Sequence, residues 1–300
     1  MDKINRSYQL GLYEKAMPND LSWEEKLNLV KESGFDYLEM SIDETKGKMA
    51  RLEYTREQRK EIVDAMWKTG VKIRSICLSG HRKYPLGSHD SKIREHSLVI
   101  MQKAVNLASD LGITLIQLAG YDVYYETSDD LTRGYFAENL HKAVLMGAEQ
   151  GVNLGFETME TPFMDTVEKS MRYVNEICSP YLGIYPDIGN LKNASLLYHK
   201  SVNSDLRIGQ GHIFAAHLKE TVVGRYREVP YGSGHTNYLE NLKVLKDLGV
   251  RLFVGEFWYT GSETWRQDLK SAAVFLREKL DYVIGKKDPH DTKGDVCNPS

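Results

Sequence analysis

A junction recurs along this chain, in which an amphipathic helix-like stretch ends in glycine and a short apolar run follows at once. Glycine just after a helix readily takes the left-handed conformation that satisfies the last helical carbonyl groups, and the chain can then turn into a strand. We therefore predict a strand after each such glycine. The five junctions are KESG–FDYLEMSI at Gly34, KTG–VKIRSICLS at Gly70, DLG–ITLIQLAG at Gly112, EQG–VNLGFET at Gly151 and DLG–VRLFVGEF at Gly249.

Three further segments bring the predicted strands to eight. They are YQLGLYE near the amino terminus, LGIYPD after Ser179-Pro180, and IFAAHLKE after Gly209 and Gly211. Eight strand–helix units in 300 residues are about 37 residues each, and short strands that alternate with helices must pair in parallel. A doubly wound sheet is possible, but eight regular units favour a closed (β/α)8 barrel, the TIM barrel of the α/β class.

The intervening segments carry helix signals. Capping boxes at Ser22–Glu25 and Thr55–Gln58 predict two helix starts. In each, the hydroxyl of the first residue and the side-chain carbonyl oxygen of the last accept hydrogen bonds from backbone N–H groups that have no partner in the helix. A repeat every three residues predicts one apolar helical stripe, formed by Leu239, Leu242, Leu245 and Leu248. No linker divides the chain, so we predict one barrel domain over residues 1–284, and a loose tail over 285–300, where periodicity ends.

Composition excludes several classes of protein. The formal charge is −3 and the pI is about 6.3, whereas a nucleic-acid binder needs a basic face. No apolar run approaches the ~20 residues of a membrane-spanning helix, and the amino terminus does not resemble a signal peptide. Cys77, Cys178 and Cys297 are widely spaced and indicate neither disulfides nor a thiolate zinc site. We expect a reduced, cytoplasmic protein that binds neither membrane nor nucleic acid.

Ionisable side chains end the last four predicted strands, at Glu157, Asp187, His217 and Glu256. The carboxyl ends of barrel strands meet at one mouth, where catalytic groups gather. Three carboxylates and an imidazole suit a divalent cation such as Mn²⁺, Mg²⁺, Co²⁺ or Zn²⁺. A single acid at a strand end is more often merely solvated, but four consecutive strands with such residues predict a metal site.

Several motifs resemble one family, the L-ribulose/L-xylulose-5-phosphate 3-epimerases, which are TIM-barrel isomerases of the xylose-isomerase-like superfamily. The resemblance covers roughly residues 8–284, and YPDIGNL and SGHRKYPLGS are its most specific strings. It implies that the four strand-end residues hold the metal, that Glu157 and Glu256 are the acid–base pair, and that the protein is a homodimer. The other matching strings are FETMETP, HLKET, GEFW, GLYEKA, EMSIDE and LAGYDVYY.

The implied reaction makes chemical demands that the two glutamates meet. Inverting carbon 3 of a 2-ketose requires the proton next to the carbonyl to leave from one face and return to the other. Glu157 and Glu256 arrive from strands five and eight and could flank a flat enediolate, one removing the proton and the other returning it. A cation on the oxygens of carbons 2 and 3 would stabilise the developing charge.

A sugar-phosphate substrate also needs polar contacts around the mouth. His81 and Arg82, in the basic run after strand three, are candidates, although such a run is often only a charged surface. Lys219 shares the face of His217 by strand alternation and is favoured as a substrate contact. Asn190 and Gln117 are candidates for sugar hydroxyls. Weaker phosphate candidates are Arg225, Arg227 and the Tyr231–His235 turn, whose backbone amides precede a helix.

Other residues at the mouth receive simpler interpretations. Tyr124, Tyr125 and Trp258 are expected to wall the pocket rather than react. Cys77 is interpreted as a small core residue. Glu14, Glu39 and His141 are interpreted as mouth or surface residues without a role in the reaction, a group set apart from the metal ligands.

Three alternative functions remain open at this stage. The same metal and acids would serve an epimerase, aldose–ketose isomerase or dehydratase acting on another ketose, phosphorylated or free. A nuclease on this scaffold would need more histidines at the mouth and a basic groove, which the net charge opposes. A non-catalytic sugar-binding barrel would not need two opposed glutamates. Fold alone does not decide among these.

Overall fold

A computed structural model describes residues 6–285 of the chain. Eight parallel strands alternate with helices, as the glycine junctions predict, in the hydrogen-bonded order β6-β5-β4-β3-β2-β1-β8-β7. The strands are β1 Gln9–Tyr13, β2 Tyr37–Ile42, β3 Lys72–Leu78, β4 Leu115–Ala119, β5 Asn153–Glu157, β6 Leu182–Tyr185, β7 Ala216–Leu218 and β8 Leu252–Gly255.

The helices form the outer layer of the barrel. They are α1 Trp23–Glu32, α2 Lys46–Met49, α3 Arg56–Thr69, α4 Ser91–Asp110, α5 Asp130–Glu149, α6 Val167–Ile177, α7 Ile188–Tyr198, α8 Val202–Ile208, α9 Tyr238–Asp247 and α10 Trp265–Ile284. Short 3₁₀ turns cover Glu14–Ala16, Ala50–Glu53 and Ser79–Arg82.

The two terminal strands of this order, β6 and β7, meet through isolated parallel bridges, one of which pairs Asp187 with His217. The amide of His217 donates to the carbonyl of Pro186 at 2.9 Å. These bridges leave the sheet nearly closed, so the (β/α)8 prediction is confirmed and the doubly wound alternative is wrong. Closure also fixes the carboxyl ends of β5 to β8 side by side.

The local signals behind the prediction are present. The five junction glycines have φ between 68° and 93°, and both capping boxes form, with Ser22 and Thr55 each accepting from the amide three residues on. The predicted stripe on α9 is wrong in part, because Leu242 and Leu245 are buried while Leu239 is 39% exposed. A three-residue repeat drifts by roughly 60° per step around a helix of 3.6 residues per turn, so its ends cannot share a face.

The main apolar core lies between the strands and the helix layer, and a second apolar cluster inside the barrel includes Tyr13, Tyr37, Cys77, Tyr185 and Val254. Cys77 is buried there, as expected. The single sheet is in keeping with one barrel domain. The predicted tail lies outside the described residues, apart from Gly285, which follows α10.

Candidate active site

Four side chains converge at the carboxyl-terminal mouth of the barrel, one from the end of each of the last four strands. One ligand atom from each of Glu157, Asp187, His217 and Glu256 lies within 4.8 Å of all the others. All four residues are buried. The Nδ1 atom of His217 is 3.2 Å from Oε1 of Glu157 and 3.4 Å from Oε2 of Glu256. The structure thus brings together the complete set that the strand ends predicted.

Asp187 is oriented by the start of α7. Its Oδ1 accepts hydrogen bonds from the amides of Gly189 and Asn190, at 2.8 and 2.9 Å, and so caps the helix. This leaves Oδ2 directed at the cluster. A side chain at Gly189 would collide with the carbonyl of Lys219, so glycine there lets α7 start against the end of β7.

His217 is held by a carboxylate on the far side of its ring. Its Nε2 lies 2.7 Å from Oε1 of Glu39, which is fully buried on β2. The hydroxyls of Tyr185 and Ser75 donate to the other oxygen of Glu39, at 2.8 and 2.7 Å. Because an ionised carboxylate can only accept, Nε2 of His217 carries a proton, and Nδ1 faces the three acids.

Two polar residues flank the carboxylates. The ammonium of Lys219 lies 2.8 Å from Oδ2 of Asp187 and 3.1 Å from Oε2 of Glu256, which confirms that Lys219 shares the face of His217. Neither oxygen accepts a hydrogen bond of regular geometry. Across the site, Nε2 of Gln117 donates to Oε2 of Glu157 at 2.6 Å. Glu157 is thus paired with an amide and Glu256 with a cation.

The electrostatics of the cluster differ from one acid to the next. Burial raises the pKa of Glu157, and the charge of Glu256 raises it further. Burial also raises the pKa of Asp187 to about 8 against the opposing charge of Lys219. For Glu256, the charges of Lys219 and His217 outweigh burial and hold the pKa well below its usual range. Packed carboxylates cannot all remain charged unless positive charge is close by.

The donor set fits a divalent cation. Three carboxylates and an imidazole are ligand types that Mn²⁺, Co²⁺ and Zn²⁺ share, and Oδ2 of Asp187 and Oε2 of Glu256 are buried oxygens without regular hydrogen bonds. The Glu39–His217 contact is the kind of outer carboxylate that usually orients a metal-binding histidine. The four residues of the cluster, Glu157, Asp187, His217 and Glu256, would hold the ion.

The other predicted substrate contacts are placed unequally. His81 is buried, and its Nε2 lies 3.1 Å from the carbonyl of Ser97 in α4. Burial lowers the pKa of His81 to about 4, so its ring is neutral at neutral pH. Asn190 is also buried, and its amide nitrogen donates to the carbonyl of Thr158, while Oδ1 has no hydrogen-bond partner. Both side chains are therefore engaged with the backbone.

Arg82 lies at the mouth beside a group of aromatic residues. Its guanidinium is 4.7 Å from the centre of the Tyr124 ring and 5.8 Å from that of Tyr121. The hydroxyl of Tyr121 donates a hydrogen bond to the carboxylate of Glu160, which also accepts one from the guanidinium of Arg227 at 3.2 Å. Tyr124 is partly buried, whereas Tyr125 is 67% exposed. Arg82 and Tyr124 thus form one wall of the mouth.

The Tyr231–His235 turn is occupied by a side chain of the protein itself. The carboxylate of Glu220 accepts hydrogen bonds from the backbone amides of Gly232 and Thr236, each at 3.0 Å. The helix that follows begins at Tyr238. Arg225 donates to the carbonyls of Arg227 and Glu228. The weaker phosphate candidates around this loop are therefore already engaged in internal hydrogen bonds.

Two residues that the sequence interpretation set aside are part of buried networks. Glu39 holds His217, and Glu14 is a fully buried carboxylate bonded to Lys26, Lys48 and Arg51. A signal was available in both cases, since acids rarely lie inside or directly after an apolar strand unless they are paired. His141, by contrast, is exposed on α5, as expected.

Comparison with known proteins identifies the family. The family model for the xylose isomerase-like TIM barrel matches residues 27–279. The L-ribulose-5-phosphate 3-epimerases UlaE of Salmonella paratyphi A and Salmonella typhimurium are each 40% identical to the chain over 280 residues, which is 93% of this chain and 95% of each relative. The chain belongs to this epimerase family. The expected resemblance and the isomerase class are thereby confirmed.

Solved structures of low sequence identity share the fold. A D-psicose 3-epimerase from Clostridium cellulolyticum H10, determined with D-tagatose, has a TM-score of 0.77 at 16% identity and covers 91% of this chain and 99% of its own. An L-ribulose 3-epimerase has a TM-score of 0.73 at 16% identity, covering 97% and 100%. Among residues 6–285, no helix combines the length and hydropathy required to cross a membrane.

Proposed function

We propose that the protein catalyses metal-dependent 3-epimerisation of a ketopentose 5-phosphate, interconverting L-xylulose 5-phosphate and L-ribulose 5-phosphate. The observation that carries the proposal is the placement of Glu157 and Glu256 within 3.4 Å of Nδ1 of His217 in one buried cluster. The names of the 40% identical relatives supply the substrate class.

The two glutamates provide the two bases that inversion requires. A proton next to a carbonyl must leave carbon 3 on one face and be replaced on the other, and a single base cannot reach both faces of a flat intermediate. Glu157 from β5 and Glu256 from β8 approach from different strands. One removes the proton and the other delivers one, and the roles exchange in the reverse direction.

The surroundings of the two glutamates favour such a division of roles. Burial and the charge of Glu256 raise the pKa of Glu157, whereas Lys219 and His217 lower that of Glu256. Pairs of acids whose environments push their pKa values apart are typical of acid–base catalysis. Without a cation, Glu256 is therefore the more readily charged of the two and Glu157 the more readily protonated, and a bound cation would favour the charged form of both.

Glu157, Asp187, His217 and Glu256 would hold the divalent cation. When bound, the cation supplies Lewis-acid stabilisation of negative charge on the sugar oxygens. Glu39 keeps the His217 ring in place by accepting from Nε2, and the amides at the start of α7 fix Asp187. Rigid placement of this kind lowers the entropic cost of bringing the reacting groups together.

Substrate contacts remain proposals of unequal support. Lys219 and Gln117 touch the catalytic carboxylates, so we place them beside the reacting carbons of the sugar. Arg82 borders the mouth. Asn190 and His81, whose side chains bond to backbone carbonyls, are assigned to supporting the loops. The cytoplasmic location and the homodimer stay predictions.

A direct assay tests the proposal. Each 5-phosphate is incubated with the metal-loaded enzyme, and the formation of its C3 epimer is followed by NMR, with the free ketoses L-xylulose and L-ribulose in parallel. We expect interconversion of the two phosphates. Conversion to an aldose would indicate an aldose–ketose isomerase instead, and binding without conversion would indicate a sugar-binding barrel.

A further inference from the structure

Gln117 is a buried amide whose hydrogen-bond partner is the proposed catalytic residue Glu157. It lies on β4 with no exposed surface, and its Nε2 donates to Oε2 of Glu157 at 2.6 Å. The other oxygen of Glu157, Oε1, lies 3.2 Å from Nδ1 of His217. The two oxygens of this carboxylate therefore have different neighbours, an amide on one side and the rest of the cluster on the other.

The strand register places Gln117 below Glu157 in the barrel. Ala119 is the β4 residue that pairs with Glu157, whereas Gln117 pairs with Gly155, two residues earlier on β5. Since all eight strands run towards the mouth and inward-facing residues alternate along each strand, Gln117 lies one inward-facing layer deeper than Glu157. A substrate that enters from the mouth meets Glu157 before it meets Gln117.

The amide oxygen of Gln117 is unused within residues 6–285. Oε1 is buried and has no hydrogen-bond partner there, so the bond to Glu157 is the contact that fixes the amide. A carboxamide donates through its nitrogen or, after a half-turn, accepts through its oxygen. Gln117 can therefore stay paired with Glu157 both when that residue is a carboxylate and when it carries a proton taken from carbon 3.

Glu256 has a different kind of partner. The ammonium of Lys219, which directly follows β7, lies 3.1 Å from Oε2 of Glu256 and can only donate. In the described part of the chain, the side-chain hydrogen bond of Gln117 goes to Glu157. A change at Gln117 should therefore disturb one glutamate and leave the other with its own partner.

We infer that Gln117 is the positioning residue of Glu157: it holds this carboxylate in place for proton transfer at carbon 3 and acts through Glu157 rather than by binding a sugar hydroxyl. In that step the C3–H bond breaks, its electron pair stays on the sugar as the enediolate, and the proton passes to the carboxylate of Glu157. Outer hydrogen-bond partners commonly fix the carboxylates of metal sites in this way. The role in proton transfer rests on the proposed function, whereas the hold on Glu157 does not.

The first test is proton exchange from carbon 3 in D₂O with Gln117→Met, which has a similar shape and no amide. At saturating Mn²⁺ we expect exchange from one 5-phosphate epimer to fall about 10–100-fold. That epimer should be the one whose exchange Glu157→Gln also stops. Exchange from the other epimer, and KM for both, should stay near the wild-type values. Gln117→Leu is the second variant if Gln117→Met does not fold.

Cys77→Ala is the matched control. Cys77 pairs with Gln117 across β3 and β4 and is buried in the same interior, but its thiol donates to the hydroxyl of Tyr13. Any loss in this control should be equal for the two epimers, because a looser barrel does not single out one glutamate. An equal loss from both epimers in Gln117→Met would overturn the inference. So would a raised KM with unchanged kcat, which indicates a direct contact with the sugar.

The second test needs no substrate. Loss of the amide that holds Glu157 should weaken Mn²⁺ binding by Gln117→Met about tenfold, measured by competition with a chelating dye, whereas Cys77→Ala should bind like the wild type. Wild-type affinity in Gln117→Met would overturn the inference. Weaker Mn²⁺ binding by Gln117→Met in an enzyme that epimerises neither 5-phosphate would refute the proposed function and retain the hold of Gln117 on Glu157.

Discussion

Glu39 and His217 meet across the barrel interior, with Oε1 of Glu39 2.7 Å from Nε2 of His217. Both side chains have no exposed surface. The contact fixes which nitrogen of the imidazole carries a proton and turns Nδ1 towards Glu157 and Glu256. A residue from β2 thereby orients the imidazole on β7, which we propose as a metal ligand.

Replacing Glu39 by glutamine tests this control. The amide of Glu39→Gln can still reach Nε2 but is neutral and can present its nitrogen, so we expect the affinity for Mn²⁺ to fall about 10–100-fold, the usual effect of losing such an outer partner. Competition with a chelating dye measures the affinity. The exposed Glu61→Gln is the matched control and should bind Mn²⁺ like the wild type. Equal affinity in Glu39→Gln would contradict an orienting role.

Substitution of either proposed catalytic glutamate should abolish proton exchange from a different epimer. With two bases, Glu157→Gln and Glu256→Gln each retain one base, so each variant should exchange the C3 proton of only one epimer with D₂O. Interconversion should fall about 10²–10⁴-fold in both. NMR of each 5-phosphate follows the exchange, and the metal content of each variant is checked. Loss of exchange from both epimers in either metal-loaded variant would argue for one base instead.

Lys219 should act at the reacting carbons rather than on the phosphate. Its ammonium touches Asp187 and Glu256, so we expect Lys219→Met to lower kcat about 10²-fold, and to do so equally for L-xylulose 5-phosphate and L-xylulose. The exposed Lys243→Met serves as control. A loss confined to the phosphorylated sugar would place the phosphate at Lys219 and remove this assignment.

Glu14 should stabilise the fold in a pH-dependent manner. Burial alone would raise its pKa, but Arg51, Lys48 and Lys26 hold it well below the usual range. Its contribution is therefore complete above the pKa of an unfolded glutamate, about 4.3, and is lost as the pH falls towards the lower folded value. At pH 7 we expect Glu14→Gln to reduce the free energy of unfolding by about 3–5 kcal/mol.

Urea denaturation at a series of pH values checks the Glu14 prediction. The difference between Glu14→Gln and wild type should be largest at neutral pH and narrow below pH ~4.3. The exposed Glu61→Gln should differ little from wild type at any pH. A difference that stays constant down to strongly acidic pH would show that ion pairing is not its source.

The fold and the four-residue cluster at the mouth were readable from the sequence because both depend on local pattern. A glycine with positive φ at the end of a helix, such as Gly70 or Gly151, predicts that a strand follows. Once the strands are placed, the rule that parallel strands end at one mouth groups Asp187 with His217. No knowledge of contacts between distant residues is needed for either step.

Glu39 and Glu220 could not be placed in this way. Glu39 contacts a residue 178 positions away. Alternation along β2 places Glu39 on the inner face with Tyr37, but it does not show which distant side chain Glu39 meets there. Glu220 fills a turn that starts several residues later in the chain. From the sequence alone, the backbone amides of that turn look available to a phosphate group, because the carboxylate that occupies them comes from another part of the chain.

Deuterium incorporation measures the proposed metal-dependent proton exchange at carbon 3. L-ribulose 5-phosphate and L-xylulose 5-phosphate are each incubated with the enzyme in D₂O, with and without EDTA, and the products are examined by NMR. Two-base epimerisation predicts deuterium at carbon 3 together with interconversion, both abolished by EDTA and restored by added Mn²⁺. Deuterium at carbon 1, or exchange that EDTA does not affect, would contradict it.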